Sequence, residues 1–162
     1  MKRRIVAWLA FAIVPCTALY AQQNAQTTFR VSARVQAVCD ITASDLSFGN
    51  YTAQSGTPLL GTTQLLATCT PNTTYNVGLN EGTSPGATVN QRRMVSGANS
   101  LNYQLYSDAS RSTIWGNTPG TDTVAGVGTG VAVQHVVYGT VPAAQVVPAA
   151  EYSDVITVRI YY

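Results

Sequence analysis

The sequence predicts an all-β chain, an immunoglobulin-like antiparallel β-sandwich, and three observations carry that prediction. No window past the first two dozen residues keeps a 3.6-residue apolar period over a dozen positions. Short runs instead alternate apolar with polar residues, and Gly, Pro, Asn, Asp and Ser separate one run from the next. Thr, Val and Tyr are abundant, and these side chains suit a pleated, half-buried surface. Seven or so short strands in about 140 residues describe one two-sheet domain.

The first 21 residues stand apart from that pattern. Met1-Lys2-Arg3-Arg4 is a basic start, Ile5 to Val14 is apolar, and Thr17-Ala18-Leu19-Tyr20-Ala21 is a small-residue exit before Gln22-Gln23-Asn24. This is the layout of a secretory signal peptide, so residues 1–21 are expected to be removed and residues 22–162 to form a single domain. The apolar run is too short for the ~20 helical residues that span a bilayer, so no membrane insertion is expected. Cys16, preceded by Pro15, is expected to leave with the signal instead of marking a lipid anchor.

In the mature chain Phe29, Val31, Ala33, Val35 and Ala37 alternate with Arg30, Ser32, Arg34 and Gln36. That is the pattern of a half-buried strand. Leu46-Ser47-Phe48 and Gln64 to Cys69 are further short runs, Tyr75 to Leu79 alternates before Glu81-Gly82, and Leu101, Tyr103 and Leu105 alternate before Ser107-Asp108-Ala109-Ser110. Trp115-Gly116 opens a Gly/Thr/Pro stretch to Gly130, in which Gly126, Gly128 and Gly130 read as a flexible loop and not as a phosphate-binding fingerprint. Val131 to Tyr138 and Val155 to Tyr162 are the last expected strands. In the final one Ile156, Val158, Ile160 and Tyr162 face one way, and an apolar terminal edge of this kind is suited to adding a strand from another chain.

Charge and cysteines narrow the function. Without residues 1–21 the chain has no lysine and six arginines against seven acids, a net charge of −1. It therefore lacks the basic footprint of a nucleic-acid or anionic-membrane binder. Cys39 and Cys69, an even pair in an exported chain, read as a disulfide, and neither lies in a CxxC that would favour redox or metal chemistry. No cofactor is expected.

One motif argues for an enzyme. Gly82-Thr83-Ser84-Pro85-Gly86 is a literal GxSxG, followed by Asp108 or Asp122 and then His135 in hydrolase order. A nucleophile elbow needs a strand before it and a helix after it, and Ala87-Thr88-Val89-Asn90 is not helical in pattern, so the segment reads as a turn and no enzymatic activity is expected. The sequons at Asn50 and Asn72 are weak signals alone.

Cys39-Asp40-Ile41, Leu46-Ser47-Phe48-Gly49-Asn50-Tyr51, Cys69-Thr70, Tyr75 to Gly82 and Arg93-Met94 together resemble the first half of the spore coat protein U domain. Leu101 to Asp108, Arg111, Trp115-Gly116, Tyr138-Gly139 and Pro148 to Asp154 resemble its second half. That family includes subunits of archaic, Csu-type chaperone-usher pili. The resemblance implies an immunoglobulin-like fold lacking its last strand, which a periplasmic chaperone first lends and the N-terminal segment of a neighbouring pilin subunit later replaces at an outer-membrane usher. Carried onto this chain, it implies a donor segment within residues 22–37 built on Phe29, Val31, Ala33 and Val35, an acceptor edge of Ile156, Val158, Ile160 and Tyr162, and a bridge between Cys39 and Cys69. It also implies export to the periplasm, then a place in a surface pilus serving adhesion and biofilm formation. Pro148-Ala149-Ala150 stands where the family often has Pro-Ala-Gly, and a positive backbone angle there would cost Ala150 about 1 kcal/mol. Two other readings remain: a secreted monomeric, lectin-like module with Trp115 and Tyr106 facing a sugar, and a coat or matrix protein.

Overall fold

The computed structural model describes residues 22–162, so the expected signal peptide lies outside the described residues. The chain divides after Arg34 into an N-terminal segment and a folded body, Val35–Tyr162. The body holds eight strands: β1 Cys39–Ala43, β2 Leu59–Cys69, β3 Thr74–Leu79, β4 Arg92–Ser96, β5 Asn99–Tyr106, β6 Val124–Val127, β7 Val133–Val141 and β8 Val158–Tyr161. They form a five-stranded sheet in the order β1-β2-β7-β5-β4 and a three-stranded sheet in the order β6-β3-β8. All pairings are antiparallel. The molecule is an all-β, incomplete immunoglobulin-like sandwich.

The core follows from period-two alternation. Leu65, Ala67 and Cys69 of β2, Tyr75, Val77 and Leu79 of β3, Leu101, Tyr103 and Leu105 of β5, and Val137 and Val141 of β7 turn inward and are buried together. Trp115 joins them from the stretch after β5, and its indole nitrogen donates to the Val77 carbonyl at 2.7 Å. Cys39 lies directly opposite Cys69 at the first pair of the β1–β2 ladder, and the two form a disulfide. The expected bridge is present, and it fixes the edge strand β1 to the sheet.

Four expectations need correction. Residues 29–37 form no strand: alternation alone does not make one, because a strand exists only within a ladder of paired backbone groups. Leu46-Ser47-Phe48 likewise joins no ladder. The stretch to Gly130 is not a loop throughout: β6 lies inside it and pairs with β3, placing Gly126 opposite Tyr75. A Cβ at Gly126 would sit 2.3 Å from the Tyr75 ring, so glycine there serves close approach and not mobility. Ala150 does not adopt the positive backbone angle, which falls instead on Ala144 at φ 61°.

Candidate functional site

A cleft opens between the sheets where the chain leaves β1 and where it approaches β8. One stretch, about 530 Å³, is lined by Ala43–Leu46 and by Glu151–Ile156 with Val158. Leu65, Leu79, Leu105 and Val137 form its floor, so it reaches the core through both sheets. A wider stretch of about 880 Å³ continues along Leu46–Gln54 and Val147–Tyr152. The two share Leu46, Phe48, Met94, Glu151 and Tyr152 and therefore make one continuous groove.

The walls are held from the sheets. On one side Tyr51 donates its hydroxyl hydrogen to the Pro142 carbonyl at 3.0 Å and accepts from the Gln145 amide at 2.8 Å, fixing the segment after β1 to the end of β7. On the other, Ser153 exchanges backbone hydrogen bonds with Val95 of β4. Asp154 accepts from the Tyr103 hydroxyl at 2.7 Å and from the amide and hydroxyl of Thr83 at 2.9 and 3.0 Å. Gly82, with φ 93°, lets that carboxylate approach: a Cβ there would overlap it. Burial first, then the bond to Asp154, pushes the Tyr103 hydroxyl well above its ordinary range, so it remains a donor.

The anticipated acceptor residues divide. The expected strand from Val155 begins only at Val158: Val158 and Ile160 of β8 are half-buried, Ile156 is half-buried ahead of the strand, Ile156 and Val158 line the groove, and Tyr162 is 62% exposed just beyond β8. On the other face Tyr161 donates to Asn117 Oδ1 at 2.9 Å. β8 pairs only with β3, which leaves its second edge open among the described strands. The anticipated donor residues lie outside any ladder: Phe29, Val31 and Val35 are 86%, 82% and 84% exposed, and Ala33 is exposed as well.

Sequence reasoning missed most of the groove, namely Met94, Tyr152, Asp154 and the segment Leu46, Phe48 and Tyr51. The available signal was three large apolar residues at short polar intervals outside any alternating run. It also missed Arg92, which is fully buried. Its guanidinium donates to the carbonyls of Asn80, Val89, Leu79 and Trp115 and, at 2.7 Å, to Gln104 Oε1. Burial lowers its pKa, and this set of acceptors holds the cation between β3, β4, β5 and the Trp115 turn.

The hydrolase constellation does not assemble. Ser84 is buried in a turn between Gly82 and Gly86, and its hydroxyl donates to the Arg93 carbonyl at 2.6 Å. His135 instead packs edge-on to Tyr75 and Trp115, with its Nε2 2.9 Å from the Tyr75 hydroxyl. Asp108 serves a different turn, accepting from Ser110, Ser112 and Thr113, contacts that lower its pKa. The lectin-like reading also loses its main residue, since Trp115 is 1% exposed and cannot present its ring to a sugar.

Comparisons with known proteins agree with this architecture. Protein U of Myxococcus xanthus is 38% identical over 128 residues, covering 72% of this chain and 71% of that protein. Among solved structures, a chain from the chaperone–tip adhesion subunit pre-assembly complex of the archaic chaperone-usher Csu pili of Acinetobacter baumannii superposes with a TM-score of 0.57 at 28% identity. The match covers 79% of this chain and spans only 40% of that one. The profile of the Spore Coat Protein U domain matches residues 25–159, and with the sandwich, the bridge and the groove in place, this chain belongs to the spore coat protein U domain family.

Proposed function

We propose that this chain is a structural subunit of a surface pilus, assembled by donor-strand exchange through a periplasmic chaperone and an outer-membrane usher, and serving adhesion and biofilm formation. The observation that carries the reading is the groove, whose floor is the core itself and whose bordering strand β8 has an open edge. A strand laid there would gain main-chain hydrogen bonds and bury apolar side chains at ~1.5 to 3 kcal/mol for each large one. Phe29, Val31, Ala33 and Val35 supply such a strand, exposed and alternating ahead of β1. The related solved chain comes from a complex of a chaperone with a pilus subunit, which supports a chaperone as first partner. Because donor and acceptor are different surfaces of one subunit, the contact is head-to-tail and propagates into a fibre.

The test is to express residues 22–162 in a periplasm with and without the cognate chaperone and to size the product in non-reducing SDS without boiling. Recovery that depends on the chaperone, with SDS-resistant ladders that Val31→Asp abolishes, is the expected result. A stable monomer in both cases, indifferent to Val31→Asp, would replace this reading with that of a self-complete binding module.

A further inference from the structure

Charge is unevenly divided along this chain. Residues 22–37 carry Arg30 and Arg34 and no acid, whereas residues 38–162 carry four arginines and seven acids. Of those four, Arg92 is buried, and Arg93, Arg111 and Arg159 do not line the groove. Three of the acids do: Asp45, Glu151 and Asp154. Asp154 is engaged by Tyr103 and Thr83, while Asp45 and Glu151 are exposed and line the groove from two segments far apart in sequence.

A strand that points Phe29, Val31, Ala33 and Val35 at the floor turns Arg30, Ser32 and Arg34 outward, because side chains alternate along a strand. Outward side chains sit at the level of the rim, where this groove presents carboxylates and no cation. Resting on the strand-addition reading above, we propose that the groove selects the N-terminal segment of a second copy of this chain, with Arg30 and Arg34 recognised by Asp45 and Glu151. The subunit is then self-complementary in charge as well as in shape, and a segment with acids at those positions is rejected by like charge. Rim pairs of this kind act mainly on the rate of encounter and fade as salt screens them.

The test uses the mature chain, residues 22–162, purified as its complex with the chaperone, and a fluorescent synthetic peptide of residues 24–38, whose entry into the groove is followed by anisotropy at 50 and 500 mM NaCl. A peptide carrying Arg30→Glu and Arg34→Glu is expected to associate about tenfold more slowly at low salt, the gap closing to within about twofold at high salt. A chain with Asp45→Arg and Glu151→Arg restores the rate of that swapped peptide. Both positions are exposed and outside strands, and an unchanged circular dichroism spectrum verifies the fold. Equal rates for native and swapped peptides at both salts, with a Val31→Asp peptide that does not bind, would overturn the charge selection and leave strand addition standing. A Val31→Asp peptide that binds like the native one would overturn both. A monomeric chain that excludes the native peptide would show its own segment in the groove and overturn the second copy as occupant.

Discussion

Arg92 and Arg93 are neighbours of one type with opposite fates, and nothing local in the sequence separates them. Alternation in β4 turns Arg92 inward, where four carbonyls and one amide oxygen surround it. Removing the guanidinium leaves these acceptors buried without a donor, so Arg92→Met is expected to destabilise by about 3 to 5 kcal/mol, read as a fall in the urea midpoint. Arg92→Lys should recover only part of this, since an ammonium cannot reproduce the planar fork. His135 gives a second effect at this scale. Burial lowers its pKa from 6.5, and the groups packed on its ring are Tyr75 and Trp115. The unfolded chain therefore binds the proton first: the stabilisation is complete above about pH 6.5 and is lost as pH falls through the lower, folded pKa. Urea midpoints should decline from pH 7.5 to 5.5, and His135→Gln should flatten that decline.

Among elements, those legible in sequence are the ones whose burial imposes alternation. β2, β3, β5 and β7 were all visible because one face of each meets the core. β1, β4 and β6 are short edge strands, β4 with an arginine at a core position and β6 centred on glycine, so neither composition nor period marks them. The clearest alternation of all, Phe29 to Ala37, forms no strand. Alternation reports a face suited to burial, and the partner that buries it need not lie in the same chain. The groove was illegible for a complementary reason, since its walls are two irregular segments about a hundred residues apart, joined only by the register of the sheets. β1 is an edge strand bordering that groove, and its disulfide to β2 closes a 30-residue separation. Reduction, or Cys39→Ser with Cys69→Ser, is expected to cost about 3 to 4 kcal/mol in the chain-entropy model. Comparing urea midpoints with and without reductant tests this, and the same variant should lose SDS-resistant ladders, because β1 carries one side of the groove.

For the whole molecule, five strands face three, and the apolar residues beneath the gap are left half-buried: Leu46, Phe48, Met94, Tyr152, Ile156 and Val158. A sandwich so built buries less apolar surface than its length allows, and its stability is correspondingly tied to whatever occupies the groove. The two surfaces that would satisfy one another, an exposed alternating segment and an open cleft, are both encoded in this one sequence. On the strand-exchange proposal, joining them within a single chain should close the subunit on itself. A variant in which residues 24–38 are appended after Tyr162 through a flexible linker, with Val31→Asp in the original copy, is expected to run as a monomer and to form no ladders. If seating Phe29, Val31, Ala33 and Val35 leaves a net gain of about 3 kcal/mol after ordering the linker, the melting temperature should rise by roughly 10 °C. An appended segment that itself carries Val31→Asp should give no such rise. A melting temperature insensitive to both appended sequences would mean that the groove does not bind this strand, because occupancy by apolar side chains cannot leave the stability of so open a core unchanged.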